Sequence, residues 1–123
     1  LDSGPTCMKK NLSLKGSALD IFRRIETTSV QMIKKIIIKK NISFIKQKGK
    51  PTYFKRRKEN DSEINFKNIF NIKELYNFCR MLDAPGYPNA FIQLNKYKFS
   101  FNNVRMHRNK INAKIEIIKN EKK

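Results

Sequence analysis

The apolar residues of this chain repeat with two different periods, and the change lies at the segment APGYPN, residues 84–89. Over 18–40, and again over 72–82, apolar residues recur every three or four positions, which is typical of one face of an α-helix. After residue 90 they alternate with polar residues, which is typical of strands with one buried face. The two prolines of the intervening segment lack the amide hydrogen that a helix needs. The sequence therefore predicts an α+β fold, with helices first and strands last.

Side chains suited to capping stand at the start of each predicted helix. Ser17 precedes Asp20 by three residues, and Asn71 precedes Glu74 by the same spacing. The Ser17 side chain is suited to cap a helix start, with Asp20 as a favourable acid in the first turn, and Asn71 with Glu74 has the spacing of a capping box. Lysines crowd the last turns of the first helix, where cations complement the helix dipole. We expect helices from about Ser17 to Lys40 and from Asn71 to Leu82.

Short β segments are predicted at both ends of the chain. AFIQL and YKFSF flank the dipeptide NK, which favours a tight hairpin, and INAKIEI supplies a third alternating segment. These three segments predict a small antiparallel sheet or partial barrel. The opening segment PTCMKKNLSLKG predicts a strand followed by a loop.

The chain is strongly basic for its length. It has 123 residues, the size of one domain, and a formal net charge of +18. Such a charge favours polyanions such as nucleic acid or phosphorylated ligands. A general enrichment in Lys, Ile and Asn would produce the same charge without any polyanionic partner. Net charge alone leaves both explanations open.

Several classes of site and location are disfavoured. Cys7 and Cys79 are far apart and His107 is the single histidine, so neither a metal site nor a disulfide framework is expected. This cysteine usage favours a reducing compartment, and so a cytoplasmic location, with Cys79 as a small core residue. The longest apolar run, IIIKKNISFI, is broken by lysines and is too short to span a bilayer, so no membrane partner is expected. No P-loop, Ser-His-Asp arrangement or dinucleotide fingerprint is present.

A cationic segment, KPTYFKRRKENDSEI at residues 50–64, is the most distinctive stretch. It is compatible with a nucleic-acid patch, a solvated loop or a pocket for a phosphorylated molecule. Arg56 and Arg57 offer planar forks for phosphate, and Tyr53 and Phe54 offer rings for stacking on a base. Three acids follow at once, which favours a local pocket for one phosphorylated molecule over a long polyanion track. The turn that contains Tyr87 is more often structural than functional.

Taken in order, four segments resemble the back half of the folate-dependent formyltransferases. They are LDSGPTCMKKNLSL, the capped helix, GKPTYFKRRKENDSEI and ELYNFCRMLDAPGYPNAF. This family includes methionyl-tRNA formyltransferase and the nucleotide-sugar N-formyltransferases. The resemblance implies that residues 1–45 are the last strand and helix of a Rossmann-like catalytic domain. It further implies a linker at 46–70 and a small C-terminal helix-plus-β subdomain at 71–123.

The resemblance also implies a reaction, the transfer of a formyl group from N10-formyltetrahydrofolate to a primary amine. The family uses an Asn, a His and an Asp, and Asp2 is the counterpart of the Asp, where it orients the His and assists proton movement. The Asn, the His and most of the folate site lie upstream of this segment in the family. The chain opens on Leu1 rather than Met, so we expect a fragment that is inactive alone.

The acceptor amine is expected to be phosphorylated. The resemblance assigns acceptor binding to the residues of the linker and the turn, namely Tyr53, Lys55, Arg56, Arg57 and Tyr87. A nucleotide-linked amino sugar is the preferred acceptor, because the C-terminal subdomain is short, and methionyl-tRNA is the alternative. A hypothesis of another class makes the chain a non-catalytic, basic RNA-binding module.

Overall fold

The computed structural model describes residues 4–120, which form two α-helices followed by a three-stranded antiparallel sheet. The α+β prediction is thereby confirmed, while the Rossmann-like origin of residues 1–45 stays a prediction. Two short 3-10 turns, Glu59–Ser62 and Phe66–Asn68, lie in the irregular stretch between the helices. In chain order the regular elements are α1 (Ala18–Ile38), α2 (Ile72–Arg80), β1 (Ala90–Leu94), β2 (Tyr97–His107) and β3 (Lys110–Lys119). No helix within residues 4–120 is long and apolar enough to cross a membrane.

The described chain divides into two compact units. One contains the residues up to 14 together with 21–56, and the other contains 15–20 together with the residues from 57 onward. In the first unit the opening segment makes a single isolated β-bridge, in which Thr6 pairs with Ile45. The prediction of a regular strand there is wrong for the described residues, because the segment pairs at one position and so builds no ladder. The domain boundaries proposed from the resemblance stay predictions.

The start of α1 has the predicted cap. The Asp20 amide donates to Ser17 Oγ at 3.3 Å, and the Ser17 amide donates to the Asp20 carboxylate at 2.9 Å. Gly16 precedes this cap with φ +87°, and a Cβ there would lie 2.6 Å from Asp20 Oδ2. Glycine is therefore required at this position, both for its conformation and for the space beside the cap.

The apolar stripe of α1 is largely exposed. Ala18 and Ile21 are buried, but Ile33 is 54% exposed and Ile37 76% exposed. The sequence pattern correctly predicted the helix, while the described residues leave most of its apolar stripe uncovered. A stripe of this kind usually marks a contact surface.

The core lies in the second unit, between α2 and the sheet. Asn71 Oδ1 accepts from the Glu74 amide at 2.9 Å, which is the predicted cap, but Glu74 Oε2 accepts from the Phe70 amide at 2.9 Å rather than from the Asn71 amide that a capping box requires. This cap sets the start of α2, whose apolar face packs on β2. The buried cluster joins residues from the helix, the sheet and the preceding loop: Ile64, Cys79, Leu82, Ala90 and Val104.

The sheet has the order β1-β2-β3, and both neighbouring pairs are antiparallel. Asn95 and Lys96 form the predicted tight connection, with Asn95 at φ 52°, a left-handed conformation that Asn adopts more readily than most residues. The β2–β3 register shifts between Asn102 and Arg105, so β2 contains a bulge. The sheet stays open in the described residues, with β1 and β3 at its edges.

Candidate functional site

The cationic segment is exposed up to Asp61, whereas Ser62 and Ile64 near its end are buried. Tyr53 is 88% exposed and Phe54 is 90% exposed, and residues 51–60 are all exposed. Within residues 4–120 the side chains of Lys55 and Arg56 make no hydrogen bond or ion pair. The segment therefore presents two rings and two uncommitted cations to solvent. This combination suits a ligand with a phosphate and a flat base.

Arg57 differs from Arg56 in having partners within its own unit. Its Nη2 donates to the Asp61 carbonyl at 2.5 Å, and its guanidinium lies 5.6 Å from the centre of the Phe78 ring. Phe78 belongs to α2, so this arginine fastens the start of the second unit to the helix. The resemblance assigned both arginines to acceptor binding. The geometry leaves Arg56 more available for that role than Arg57.

A second contact holds the end of the cationic segment against the sheet. Lys98 Nζ lies 2.7 Å from Glu59 Oε1 and 4.3 Å from the centre of the Phe91 ring. The hydrogen bond from Lys98, together with its positive charge, lowers the pKa of Glu59 below its usual value. One of the acids that follow the cations therefore serves as an anchor, which explains why cations and acids are neighbours in this sequence.

Tyr87 lies in the turn between α2 and β1 and is 52% exposed. Its amide donates to the Ala84 carbonyl at 3.2 Å, and the preceding Gly86 has φ 78°, so the turn has a defined geometry. Tyr87 and Arg57 belong to one unit of the chain, while Tyr53, Lys55 and Arg56 belong to the other. Asp2 lies outside the described residues.

An apolar cavity of about 440 Å³ lies in the second unit, against the inner face of the sheet. Its lining is aliphatic and aromatic except for Cys79 and Asn112. A reduced folate has a pteridine ring that needs several hydrogen-bond partners when it is buried. One amide and one thiol do not fit that requirement, so this cavity does not fit N10-formyltetrahydrofolate.

Cys79 is a core residue, as its position in the helical pattern predicted. It is 4% exposed. Burial, assisted by the nearby charge of Asp83, raises the pKa of the thiol to about 11. A thiol in this state is a poor nucleophile near neutral pH. Cys79 therefore has a packing role.

Sequence reasoning missed the cations at the end of the β2–β3 hairpin. Arg105, Arg108 and Lys110 are exposed there, and Arg108 has φ 53° in the turn. The available signal was the stretch RMHRNK between two alternating segments, where three cations fall within six residues. This hairpin end is a second basic surface of the chain.

Comparison with known proteins identifies the family. Residues 59–118 match the family profile described as the methionyl-tRNA formyltransferase C-terminal domain. A solved structure of a methionyl-tRNA formyltransferase from Clostridium thermocellum matches 96% of this chain with a TM-score of 0.86 and 39% sequence identity. The match covers 51% of that protein, so the chain spans about half of its length. No curated protein sequence matches significantly. The resemblance deduced from the ordered segments is confirmed.

Proposed function

From the premise that this chain is the C-terminal part of a formyltransferase, we propose that it helps to bind the acceptor, methionyl-tRNA, during formyl transfer to the amino group. The formyl donor in this proposal is N10-formyltetrahydrofolate, held mainly by residues other than those described. The observation that carries the proposal is the exposure of residues 51–60 in a chain whose residues 59–118 match the methionyl-tRNA formyltransferase profile.

The choice of acceptor differs from the one that the sequence favoured. A short C-terminal subdomain suggested a nucleotide-linked amino sugar, but both the matching profile and the similar structure are named for methionyl-tRNA formyltransferase. The amino-sugar preference is therefore not supported, and the methionyl-tRNA alternative agrees better with the comparisons. A short domain is a weak guide to the acceptor, because tRNA can be held through phosphates without a large pocket.

The electrostatics support an RNA acceptor. The chain carries a net charge of +18, and Lys55 and Arg56 are exposed without intramolecular partners in the described residues. Tyr53 and Phe54 stand directly before them and offer rings on which an unpaired base can stack. The hairpin end adds Arg108 and Lys110 as further phosphate contacts. We assign Arg57 mainly to anchoring the segment, through Phe78 and Asp61.

Asp2 retains the role that the family resemblance gives it. A carboxylate at this position orients a neighbouring histidine and assists removal of a proton from the attacking amine. The Asn and His that complete the family's set do not precede Asp2 in these 123 residues. We therefore propose that the 123-residue chain binds tRNA but does not transfer formyl groups by itself.

The salt dependence of tRNA binding tests this proposal. Each phosphate that a protein neutralises contributes roughly −0.7 to −0.9 to the slope of log K against log salt. A nucleotide-linked sugar has two phosphates and cannot give a slope steeper than about −2 on this scale. We expect a steeper slope for tRNA, and a slope reduced by about one in Arg56→Ala.

Arg23→Ala is the matched control, because Arg23 is an exposed arginine on α1. We expect it to have a smaller effect on both tRNA affinity and slope than Arg56→Ala. Equal effects of the two substitutions would show that only net charge matters. A slope no steeper than about −2 for the unmodified chain would contradict an RNA acceptor.

A further inference from the structure

The second unit has another cavity, of about 540 Å³, whose wall includes the end of the cationic segment. Its volume lies within the range of roughly 300–1,000 Å³ that is typical of small-ligand sites. Unlike the apolar cavity against the sheet, it is lined by polar and apolar side chains together: Asn60, Glu63, Ile64, Asn65, Phe66 and Lys67. A few polar groups beside a ring and an aliphatic side chain suit a flat, polar molecule.

Glu63 is the one acid of the cationic segment whose side chain has no partner in the described residues. Glu59 pairs with Lys98 at 2.7 Å, and the Asp61 carboxylate accepts from the Lys58 amide at 2.7 Å. These two acids therefore have structural roles. The Glu63 side chain is exposed and lines the cavity, although the chain carries a net charge of +18 and offers many cations for pairing. The fold thus leaves one carboxylate in the cavity wall free to accept hydrogen bonds from a ligand.

The backbone places the Glu63 and Asn65 side chains on one face of the chain. Glu63 has φ −68° and ψ 132°, and Asn65 has φ −96° and ψ 99°, so both are extended. Ile64 lies between them and is 7% exposed. Because side chains alternate along an extended segment, the two polar side chains share one face. The Ile64 amide donates to the Phe91 carbonyl at 2.8 Å, which fastens this segment to β1 and fixes that wall of the cavity.

The free hydrogen-bonding groups of the cavity are complementary to the Watson–Crick edge of cytosine. Asn65 Oδ1 accepts from the Lys67 amide at 3.0 Å, so the amide nitrogen of Asn65 is left to donate. A carboxylate such as that of Glu63 accepts from the N4 amino group of cytosine. The side-chain amides of Asn65 and Asn60 can then donate to its N3 and O2 atoms. Uracil has the oxygen O4 in place of the amino group, and this oxygen would face the Glu63 carboxylate without a hydrogen.

The other two contacts that a nucleotide needs are present in the same wall. Phe66 is 57% exposed, so its ring is accessible for stacking on a base. Lys67 follows it directly and is also exposed, so it can contact a phosphate.

We propose that this cavity binds an unpaired cytosine of the acceptor RNA, stacked on Phe66 and held at its N4 amino group by Glu63. The inference rests on the proposed function, tRNA binding, and adds the base that the chain reads. Every tRNA ends in the unpaired nucleotides CCA, with the amino acid on the last of them, so we assign the cytosine to this end. Proteins read RNA sequence mainly at such single-stranded ends and loops, because the Watson–Crick edges are free there.

Base substitution in the RNA provides the test. Fluorescence anisotropy at about 0.15 M salt measures the dissociation constants of the complete formyltransferase for two uncharged tRNAs, one ending in CCA and the other in UUA. We expect the UUA form to bind about fivefold more weakly or worse, because it lacks the N4 amino groups.

Glu63→Gln replaces a carboxylate by an amide, which can donate to O4 of uracil. We therefore expect the ratio of the two dissociation constants to fall to about one. A merely structural role of Glu63 would change both constants and keep their ratio, which overturns the proposal. Glu26→Gln, at an exposed position of α1, is the control for the lost charge.

Loss of the ring gives a second measurement. Phe66→Ala is expected to weaken binding of the CCA tRNA by about fivefold or more, since the stacking surface is removed, whereas Phe66→Tyr keeps the ring and the affinity. Phe70→Ala is the matched control, because Phe70 is 85% exposed and lies outside the lining of the cavity. Equal losses in Phe66→Ala and Phe70→Ala overturn the proposal.

The result for the unmodified enzyme separates this proposal from the proposed function. Equal dissociation constants for the CCA and UUA tRNAs, with a steep salt slope retained, overturn the cytosine site and leave tRNA binding intact. No binding of either tRNA contradicts the proposed function, and the cytosine site with it. Cytidine 5′-monophosphate that binds as tightly as the CCA tRNA would assign the cavity to a free nucleotide, which overturns the RNA end as its ligand.

Discussion

The Asp83 carboxylate accepts a hydrogen bond from the Val104 amide at 2.9 Å, although the two residues are 21 positions apart. Val104 is 4% exposed and lies in the β2 bulge, where the regular ladder leaves its amide without a strand partner. The Asp83 carbonyl in turn accepts from the Leu19 amide at 3.3 Å. Asp83, three residues after the end of α2, therefore satisfies both the Val104 amide at the bulge and the Leu19 amide in the first turn of α1.

Asp83→Ala is expected to destabilise the fold by about 1–3 kcal/mol, because it leaves the buried Val104 amide unsatisfied. Asp83→Asn keeps an oxygen acceptor, and we expect a smaller loss. The free energy of unfolding in urea measures both. Equal losses for the two variants would show that the carboxylate charge, rather than the hydrogen bond, stabilises the bulge.

Acid is expected to weaken the contact between Glu59 and Lys98. The pKa of Glu59 is lowered from its ordinary value of 4.5 by its bond to Lys98. A carboxyl group whose pKa is lower in the folded state stabilises the fold at pH values above its unfolded-state pKa. This stabilisation is lost as the pH falls through the folded-state pKa. Glu59→Gln should therefore reduce stability near neutral pH, with a difference that disappears toward about pH 3.

Urea titrations of the Glu59→Gln variant and the unmodified chain across this range measure that difference. Glu26→Gln, at an exposed position of α1, is the control. A Glu59→Gln difference that stays constant down to about pH 3 would mean that the ion pair does not contribute through its charge.

The two cysteines are expected to react with thiol reagents at very different rates. Cys7 is exposed, whereas Cys79 is buried and its pKa is raised to about 11. At neutral pH we expect Cys7 to be alkylated rapidly and Cys79 only when the second unit opens. Mass spectrometry of the chain after brief alkylation measures this, and urea supplies the unfolded control. Rapid modification of Cys79 in the folded chain would contradict its placement in the core.

The kinetic roles of Arg56, Arg57 and Asp2 are expected to separate in the complete formyltransferase. Arg56→Ala should raise the acceptor KM by roughly tenfold for each 1.4 kcal/mol of binding lost, with kcat nearly unchanged. Arg57→Ala should mainly lower stability, because this arginine contacts Phe78 and Asp61. Asp2→Asn should lower kcat while acceptor affinity holds. An unchanged acceptor KM in Arg56→Ala would show that the cationic segment is an ordinary charged surface with no role in acceptor binding.

Local patterns were enough to predict the helices and the first hairpin. The caps at Ser17 and Asn71, and the turn at Asn95, depend on residues within four positions of each other. The Val104 amide in the β2 bulge is bonded to Asp83, and the Arg57 guanidinium contacts the Phe78 ring. In each pair the two residues are about twenty positions apart in the sequence. Periodicity carries no information on such pairings.

The central claim, that the acceptor is methionyl-tRNA, is tested most directly by competition. The complete enzyme is given labelled N10-formyltetrahydrofolate together with equimolar methionyl-tRNA and a set of nucleotide-linked amino sugars. Separation of the products shows which amine carries the label, and Arg56→Ala shows whether the cationic segment contributes to the choice. We expect the label on methionyl-tRNA, with a reduced share in Arg56→Ala and an unchanged share in Arg23→Ala. Label on a nucleotide-linked amino sugar and none on the tRNA would contradict the claim.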